Sequence, residues 1–169
     1  MKLWRAAHNS RVFRGACFAQ DRRDAEAYLD NPGFGGPRLF CVEVQPTHVL
    51  DCTGRDGLRR LAAAYVRAAD DDTLDDLRSL CWDRAQACGR DPDEIDMIDE
   101  LVDRWAGEMV FHVLEDEDGV LDALCRHYDW IVYEDDYPEG CDHVALHGPQ
   151  PHRPLTEVTH GSQVFSGRL

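Results

Sequence analysis

Two strand-rich segments enclose a block of helical sequence, and this arrangement limits the folds open to the chain. Residues 1–52 have the β-branched and aromatic runs, bounded by turn formers, that are typical of strands, around one helix, and residues 108–169 have a mixed pattern of strands and a short helix within 118–128. Residues 55–107 have apolar side chains at helical spacing instead. A chain of 169 residues with 43% hydrophobic content can bury one sizeable core but is short for two independent domains. We therefore predict a single α/β (α+β) domain over residues 1–169, with a helical insertion at 55–107 after the fourth strand.

Local signals place the individual elements. Strands are predicted within 2–6, 12–19, 38–45, 47–52, 130–135, 142–147 and 155–160, and a helix within 21–30. The insertion should hold three helices, the first within 57–70. The second is expected to begin at a Thr73 cap and to end at Gly89. The third has an N-cap, a first-turn proline, a capping-box glutamate and a terminating glycine at Asp91, Pro92, Glu94 and Gly107.

The chain is strongly acidic, with a formal net charge of −15. Such a charge disfavours nucleic acid, which needs a basic surface, and favours a basic partner or a small ligand. Thirteen carboxylates and three arginines lie between Asp70 and Asp103. We interpret this segment either as a solvated helical surface or as an acidic surface that meets a basic partner. No long apolar run or signal peptide is present, so we expect a cytoplasmic protein without a membrane segment.

The cysteines and histidines do not form a convincing metal motif. Seven cysteines occur singly, without a CxxC pair, and are interpreted as reduced and mostly buried. Cys141, His143 and His147 could be drawn together as ligands, but their spacing along a strand is too stretched to converge on one tetrahedral ion. The favoured interpretation is a strand with half-exposed histidines.

The stretch Trp130–Asp136, WIVYEDD, ends a strongly β-forming segment in three adjacent carboxylates. Side chains alternate along a strand, which puts Glu134 and Asp136 on one face and Tyr133 and Asp135 on the other. In the plain interpretation these acids simply end the strand and begin a turn. A strand could instead hold its terminal acids at the mouth of a cleft.

The segment GACFAQDRRDAEAYL carries a more specific pattern. A strand ends at Cys17-Phe18-Ala19, a helix follows, and Ala25 and Tyr28 stand in an Ala-x-x-Tyr arrangement. This resembles the ADP-ribosyltransferase fold, in which an aromatic-Phe-Ala or Phe-Ser strand end precedes such a helix. Cys17 departs from the pattern, since poly(ADP-ribose) polymerase-like members have a tyrosine there.

The resemblance continues near both ends of the chain. Arg5 in KLWRA matches the first-strand His or Arg that contacts NAD in the family. The string HYDWIVYEDDYPEG is similar to the late strand with the catalytic acid, most closely in the small phage ADP-ribosyltransferases that act as anti-CRISPR proteins. In those, the strand follows a short helix and a tyrosine, here Tyr128, and the acid falls at Asp135. The similarity covers roughly residues 2–50 and 108–160, leaving the helical insertion unexplained.

The resemblance implies a core of two mixed or antiparallel sheets that form an NAD cleft. It also implies transfer of ADP-ribose from NAD to a macromolecule, which we interpret as a basic protein. Cleavage of the nicotinamide–ribose bond develops positive charge on the ribose, which a carboxylate can stabilise. An aromatic ring can stack on nicotinamide, and an arginine can pair with pyrophosphate. The candidates are Asp135 and Glu134 as catalytic acids, Phe18 and Tyr28 as stacking rings, and Arg5 and Arg14 as phosphate partners.

Plainer interpretations of these residues stay open, as do two other functions. Tyr28 could face the core, and Arg5 could form a salt bridge with a nearby acid. An NAD-degrading toxin of the Arg-Glu-Ser type would fit Arg5 but needs a C-terminal serine, for which Ser162 and Ser166 are the candidates. A non-catalytic acidic interaction module would be consistent with Cys17 and with the charge of the insertion.

Overall fold

A computed structural model describes residues 1–29, 35–105, 110, 112–114, 118–136, 139–146 and 155–158. Its strands are β1 (Lys2–Ala7), β2 (Cys17–Ala19), β3 (Arg38–Glu43), β4 (Val49–Asp51), β5 (Trp130–Asp136), β6 (Glu139–Ala145) and β7 (Thr156–Val158). Its helices include α1 (Arg22–Ala27), α2 (Arg55–Ala68), α3 (Asp71–Cys88), α4 (Met97–Arg104) and α5 (Asp118–Leu124). Helix and strand content therefore agrees with the predicted α+β class.

The seven strands form one mixed sheet in the order β4-β5-β6-β2-β1-β3-β7. β4 and β5 pair in parallel, and the other neighbours are antiparallel. The prediction of two sheets is corrected, because the short strand β2 pairs with β6 on one side and with β1 on the other. Among the described residues, Trp4 and Ala19 are the single register pair between β1 and β2. The sheet therefore consists of two halves, β4-β5-β6 and β1-β3-β7, that are joined by the short strand β2.

Helices cover one face of this sheet, which we call the helix-covered face. Ile131 and Tyr133 alternate onto it from β5 and pack with Leu61 of α2 in the largest apolar cluster. A β-carbon at Gly57 would lie 1.6 Å from the carbonyl oxygen of Asp51, so only glycine allows α2 to begin so close to the end of β4. α1 packs on the same side of the strands farther along the sheet, where Ala25, Ala19 and Leu39 form a smaller cluster.

The opposite side, which we call the loop-covered face, has its own apolar cluster. Its buried members are Leu3, Ala7, Ala16, Phe18, Phe40, Val42, Val44, Trp130, Ala145 and Leu155. None of these residues lies in a helix, and Val12 packs against them from the loop that joins β1 to β2. Within the described parts of the chain, loops and not helices therefore complete the apolar packing on this side of the sheet.

The predicted strand over 12–19 is shorter than expected. Only Cys17–Ala19 is a strand, and residues 8–16 form a loop. Gly15 has a φ of 84°, in the left-handed region that interrupts extended backbone. Its amide donates a 2.8 Å hydrogen bond to the carbonyl oxygen of Ala145, which fixes the end of the loop against β6.

The insertion is helical, but its helix boundaries differ from the prediction. The carboxylate of Asp70 accepts a hydrogen bond from the Thr73 amide, so Asp70 and not Thr73 caps α3, which ends at Gly89 as expected. The predicted third helix divides into a 3-10 turn at Pro92–Glu94 and the helix α4. Asp96 causes the division, since its carboxylate accepts hydrogen bonds from the Ile98 and Asp99 amides and starts a new helix. The predicted terminator Gly107 lies outside the described residues.

The acidic insertion is partly neutralised from outside the 70–103 segment. Arg55 on α2 contacts Asp103 at 2.7 Å and Asp99 at 3.2 Å, and Arg59 also pairs with Asp99. These arginines precede the acidic segment, so counting charges within it overestimates its negative field. No helix of the described residues is long and apolar enough to cross a membrane.

Candidate functional site

A row of side chains crosses the loop-covered face of the sheet. The strand registers align Asp51 with Val132, Val132 with His143, and His143 with Phe18 on four neighbouring strands. Arg5 lies on the next strand, one residue beyond the Trp4–Ala19 pair, and its guanidinium carbon is 5.8 Å from the centre of the Phe18 ring. The row therefore brings together an acid, an imidazole, an aromatic ring and a cation that are far apart in the sequence.

Arg5 is a half-buried cation without a carboxylate partner among the described residues. Its Nη1 donates a 3.1 Å hydrogen bond to the carbonyl oxygen of Arg11, and its guanidinium carbon is 4.8 Å from the centre of the Phe13 ring. Burial lowers the pKa of Arg5, and nearby Cys17 opposes that shift. A guanidinium nevertheless stays protonated in proteins. The alternative interpretation of a salt-bridged Arg5 finds no support here, and the charge is available to an anion.

Two aromatic rings contact Arg5 in different ways. Phe18 is only 1% exposed and packs edge-on against Trp130, with ring centres 5.6 Å apart. Phe18 therefore supports Arg5 from inside the core and does not present its ring to solvent. Phe13, which the sequence analysis did not single out, is 58% exposed in the loop between β1 and β2. The exposed ring beside the site is thus Phe13.

The candidate acids lie at the end of β5. Glu134 pairs with Cys141 and is exposed, and it alternates with Val132 and Trp130, so it shares the loop-covered face with Arg5. The backbone of Asp135 lies in β5 opposite Gly140. The side chain of Asp135 lies outside the described part of the structure. Of the two predicted acids, Glu134 is therefore the one that geometry connects to the row.

Arg14 and Tyr28 occupy other surroundings. The guanidinium of Arg14 is paired with the carboxylate of Asp122 on α5, and this hydrogen bond raises the pKa of Arg14. Tyr28 ends α1, the helix that packs on the face opposite Arg5. Gly35 approaches Tyr28 so closely that a β-carbon would lie 2.2 Å from the Tyr28 carbonyl oxygen. The structure thus brings Arg5 and Phe18 together, and it places Arg14 and Tyr28 elsewhere.

His143 is the main residue that sequence reasoning misjudged. It is 4% exposed and not half-exposed, and neither ring nitrogen has a hydrogen-bond partner among the described residues. Burial lowers the pKa of His143 to about 4, and the negative charge of Asp51 only partly opposes this shift. The ring is therefore neutral at pH 7. Alternation with the buried Ala145 on the same strand is the signal that could have indicated its burial.

The described residues hold no group of three or more His, Cys, Asp or Glu side chains that could bind a metal ion. Of the ligand set considered from the sequence, only the side chain of His143 is described; that of Cys141 and all of His147 lie outside. Comparison with known proteins adds no family to these observations: no family model, curated protein or solved structure matches the chain. Function must therefore be argued from the row of side chains itself.

Proposed function

We propose that the protein binds NAD across the loop-covered face and transfers ADP-ribose to a protein acceptor. The observation that carries the proposal is the half-buried guanidinium of Arg5, which has no carboxylate partner in the described part of the chain, on the same face as Glu134. A cation without a protein counter-ion is suited to a phosphate, which accepts charge-assisted hydrogen bonds from a guanidinium. The ADP-ribosyltransferase resemblance of the first and fifth strands supplies the identity of the phosphate compound.

The separation of the two charges favours an elongated ligand. Three strand spacings lie between β1 and β5, which corresponds to roughly 14 Å across the sheet. A dinucleotide could place its pyrophosphate at Arg5 and extend towards the end of β5. The exposed Phe13 ring, 4.8 Å from the Arg5 guanidinium, could stack on one of its bases.

The carboxylate at the end of β5 would act on the reacting ribose. Loss of nicotinamide gives the ribose an oxocarbenium character, and a fixed negative charge beside the ring lowers the energy of that state. Glu134 is favoured because it shares a face of the sheet with Arg5. Asp135 is the position that the resemblance indicates for the catalytic acid. Glu134→Gln and Asp135→Asn distinguish them, since removing the catalytic carboxylate should reduce nicotinamide release by roughly a hundredfold to a thousandfold. Equal rates in the wild type and both variants would contradict the mechanism.

Binding of NAD can be tested with two arginines that differ in environment. Arg5→Ala should weaken NAD binding by roughly tenfold to a hundredfold, because a charge-assisted hydrogen bond is lost. The effect should shrink as salt rises, since the charge is only half-buried. Arg14→Ala is the matched control, because Arg14 is already paired with Asp122. If calorimetry shows that both variants bind NAD as tightly as the wild type, Arg5 does not bind the phosphates.

The fate of NAD separates transfer from the alternatives. Nicotinamide released only when acceptor protein is present supports transfer, and release without acceptor indicates an NAD-degrading enzyme. The serines needed by the Arg-Glu-Ser alternative, Ser162 and Ser166, lie outside the described residues. Absence of NAD binding would leave the acidic interaction module.

A further inference from the structure

We infer that His143 is a ligand-contacting residue that hydrogen-bonds a ribose hydroxyl of the bound dinucleotide. The inference rests on the proposed function and adds to it a polar contact in the middle of the site. Neither the resemblance nor the sequence pattern indicated this residue.

The first argument is the unsatisfied state of the ring. Both Nδ1 and Nε2 are buried without a hydrogen-bond partner among the described residues. Buried polar atoms in folded proteins are nearly always paired with protein, water or ligand, because a group removed from water without a partner is strongly destabilising. If this position had only a structural role, leucine or phenylalanine would stabilise the fold more than histidine does. His143 therefore resembles a group that is reserved for a partner that binds later.

The second argument is position. His143 lies between Phe18 and Val132 in the row, so it stands between the Arg5 strand and the strand that carries Glu134. Glu134 follows Val132 by two residues on the same face of β5. A ligand that extends from Arg5 to Glu134 therefore passes close to His143, with the part that links its phosphates to its reacting ribose.

The third argument is chemical fit. A neutral imidazole offers one donor nitrogen and one acceptor nitrogen, and a hydroxyl group can pair with either of them. An ionised phosphate only accepts hydrogen bonds, so it could pair with the donor nitrogen of His143 but not with the acceptor nitrogen. Ribose hydroxyls are thus the part of a dinucleotide that suits this ring, while phosphate suits Arg5.

Access to the ring depends on what covers it. The nitrogens of His143 are enclosed, so a ligand reaches them only if covering atoms are displaced. The apolar cluster on this face takes Val12 and Leu155 from segments outside helices and strands. Displacing a loop side chain requires less rearrangement than displacing a packed helix. Binding at His143 therefore requires that the covering atoms move.

The test compares two substitutions. His143→Leu fills the site with apolar atoms and removes the two buried ring nitrogens. His143→Gln keeps a hydrogen-bond donor group and an acceptor group. We expect His143→Leu to melt at the wild-type temperature or higher and to bind NAD roughly tenfold more weakly, with affinity partly restored in His143→Gln. Binding of inorganic pyrophosphate should be the same in all three proteins, because Arg5 provides it.

The outcomes separate this inference from the proposed function. If the wild type binds NAD and His143→Leu binds it equally well, His143 is structural and the inference fails while the function stands. An equal loss of pyrophosphate and NAD binding in His143→Leu would mean a distorted site and would also overturn the inference. If the wild type does not bind NAD, both fail. Should His143→Leu not fold, the ring nitrogen resonances of wild-type His143 decide: a shift on adding NAD supports contact, and no shift refutes it.

Discussion

The helix-covered and loop-covered faces of the sheet differ in how their polar groups are satisfied. On the helix-covered face, the alternating residues of β5 enter a cluster built mainly from apolar side chains of α2, α4 and α5. The charges of those helices lie at the outside, where Arg55 and Arg59 meet the carboxylates of α4. On the loop-covered face, Arg5 and His143 enter the row without such partners among the described residues.

This difference concerns what each face contributes to stability. Apolar burial supplies most of the free energy of folding, and the helix-covered face provides it with few polar exceptions. Local violations of packing and hydrogen-bonding rules are expected at functional sites. The loop-covered face concentrates such violations in one row.

The largest effect is expected from truncating the helix-covered core. Leu61 is fully buried between α2 and the sheet, and Leu61→Ala should lower the free energy of unfolding by about 3–5 kcal/mol through lost contacts and a cavity. Val12→Ala is the matched truncation on the loop-covered face and should have a smaller effect, because Val12 is only partly buried. Urea titration of both variants measures the contrast. Similar losses would show that the loop-covered face stabilises the fold as much as the helices do.

The next effect concerns acid. His143 has an ordinary pKa of 6.5 in the unfolded chain and a pKa of about 4 in the fold. As the pH falls below 6.5, the unfolded chain binds the proton first, so stability declines until the pH reaches about 4. The shift corresponds to about 3 kcal/mol between these limits.

His143→Leu removes this term and provides the control. Carboxylates also titrate in acid, so the informative quantity is the wild-type stability minus that of His143→Leu at each pH. This difference should become more negative by about 3 kcal/mol from pH 7 to pH 4. A constant difference across the range would mean that His143 is protonated equally in the folded and unfolded chain, and its buried, neutral state would be disproved.

The smallest effect is expected at the ion pairs outside the helix-covered core. Arg59 pairs with Asp99 at the surface, where both side chains are about 40% exposed, so Arg59→Ala should change stability by no more than about 1 kcal/mol. The change should decrease further in high salt. A loss of several kcal/mol, insensitive to salt, would indicate that the arginine stem packs in the core and that the boundary between core and charged exterior is misplaced.

Local patterns in the sequence predicted the elements better than their assembly. The apolar spacing of 57–70 and the cap at Gly89 are properties of neighbouring residues, and α2 (Arg55–Ala68) and α3 follow them to within two residues. The division before α4 was missed because Asp91 and Asp96 are both competent caps, and each starts its own helical segment. The extra cap at Asp96 is visible in the sequence, but the choice between one helix and two depends on packing.

The site was harder to predict because it depends on which strands are neighbours. Arg14 is close to Phe18 in the sequence, yet Gly15 turns the chain and Asp122 on α5 binds Arg14. His143 lies between Phe18 and Val132, which belong to two different strands. The resemblance pointed to Arg5 and Phe18, which lie side by side, but it pointed equally to Tyr28, which ends the helix on the opposite face.

The short strand β2 also affects the order in which the protein can fold. Cys17 pairs with Val144, so a strand from the start of the chain is held between β1 and a strand from near its end. During synthesis, β1 and β3 can pair early, but β2 must wait for β6 to leave the ribosome. Contacts between such distant parts of a sequence slow folding, because a long loop must close before any free energy is gained. The sheet is therefore expected to close late, and the row that crosses it forms only at that step.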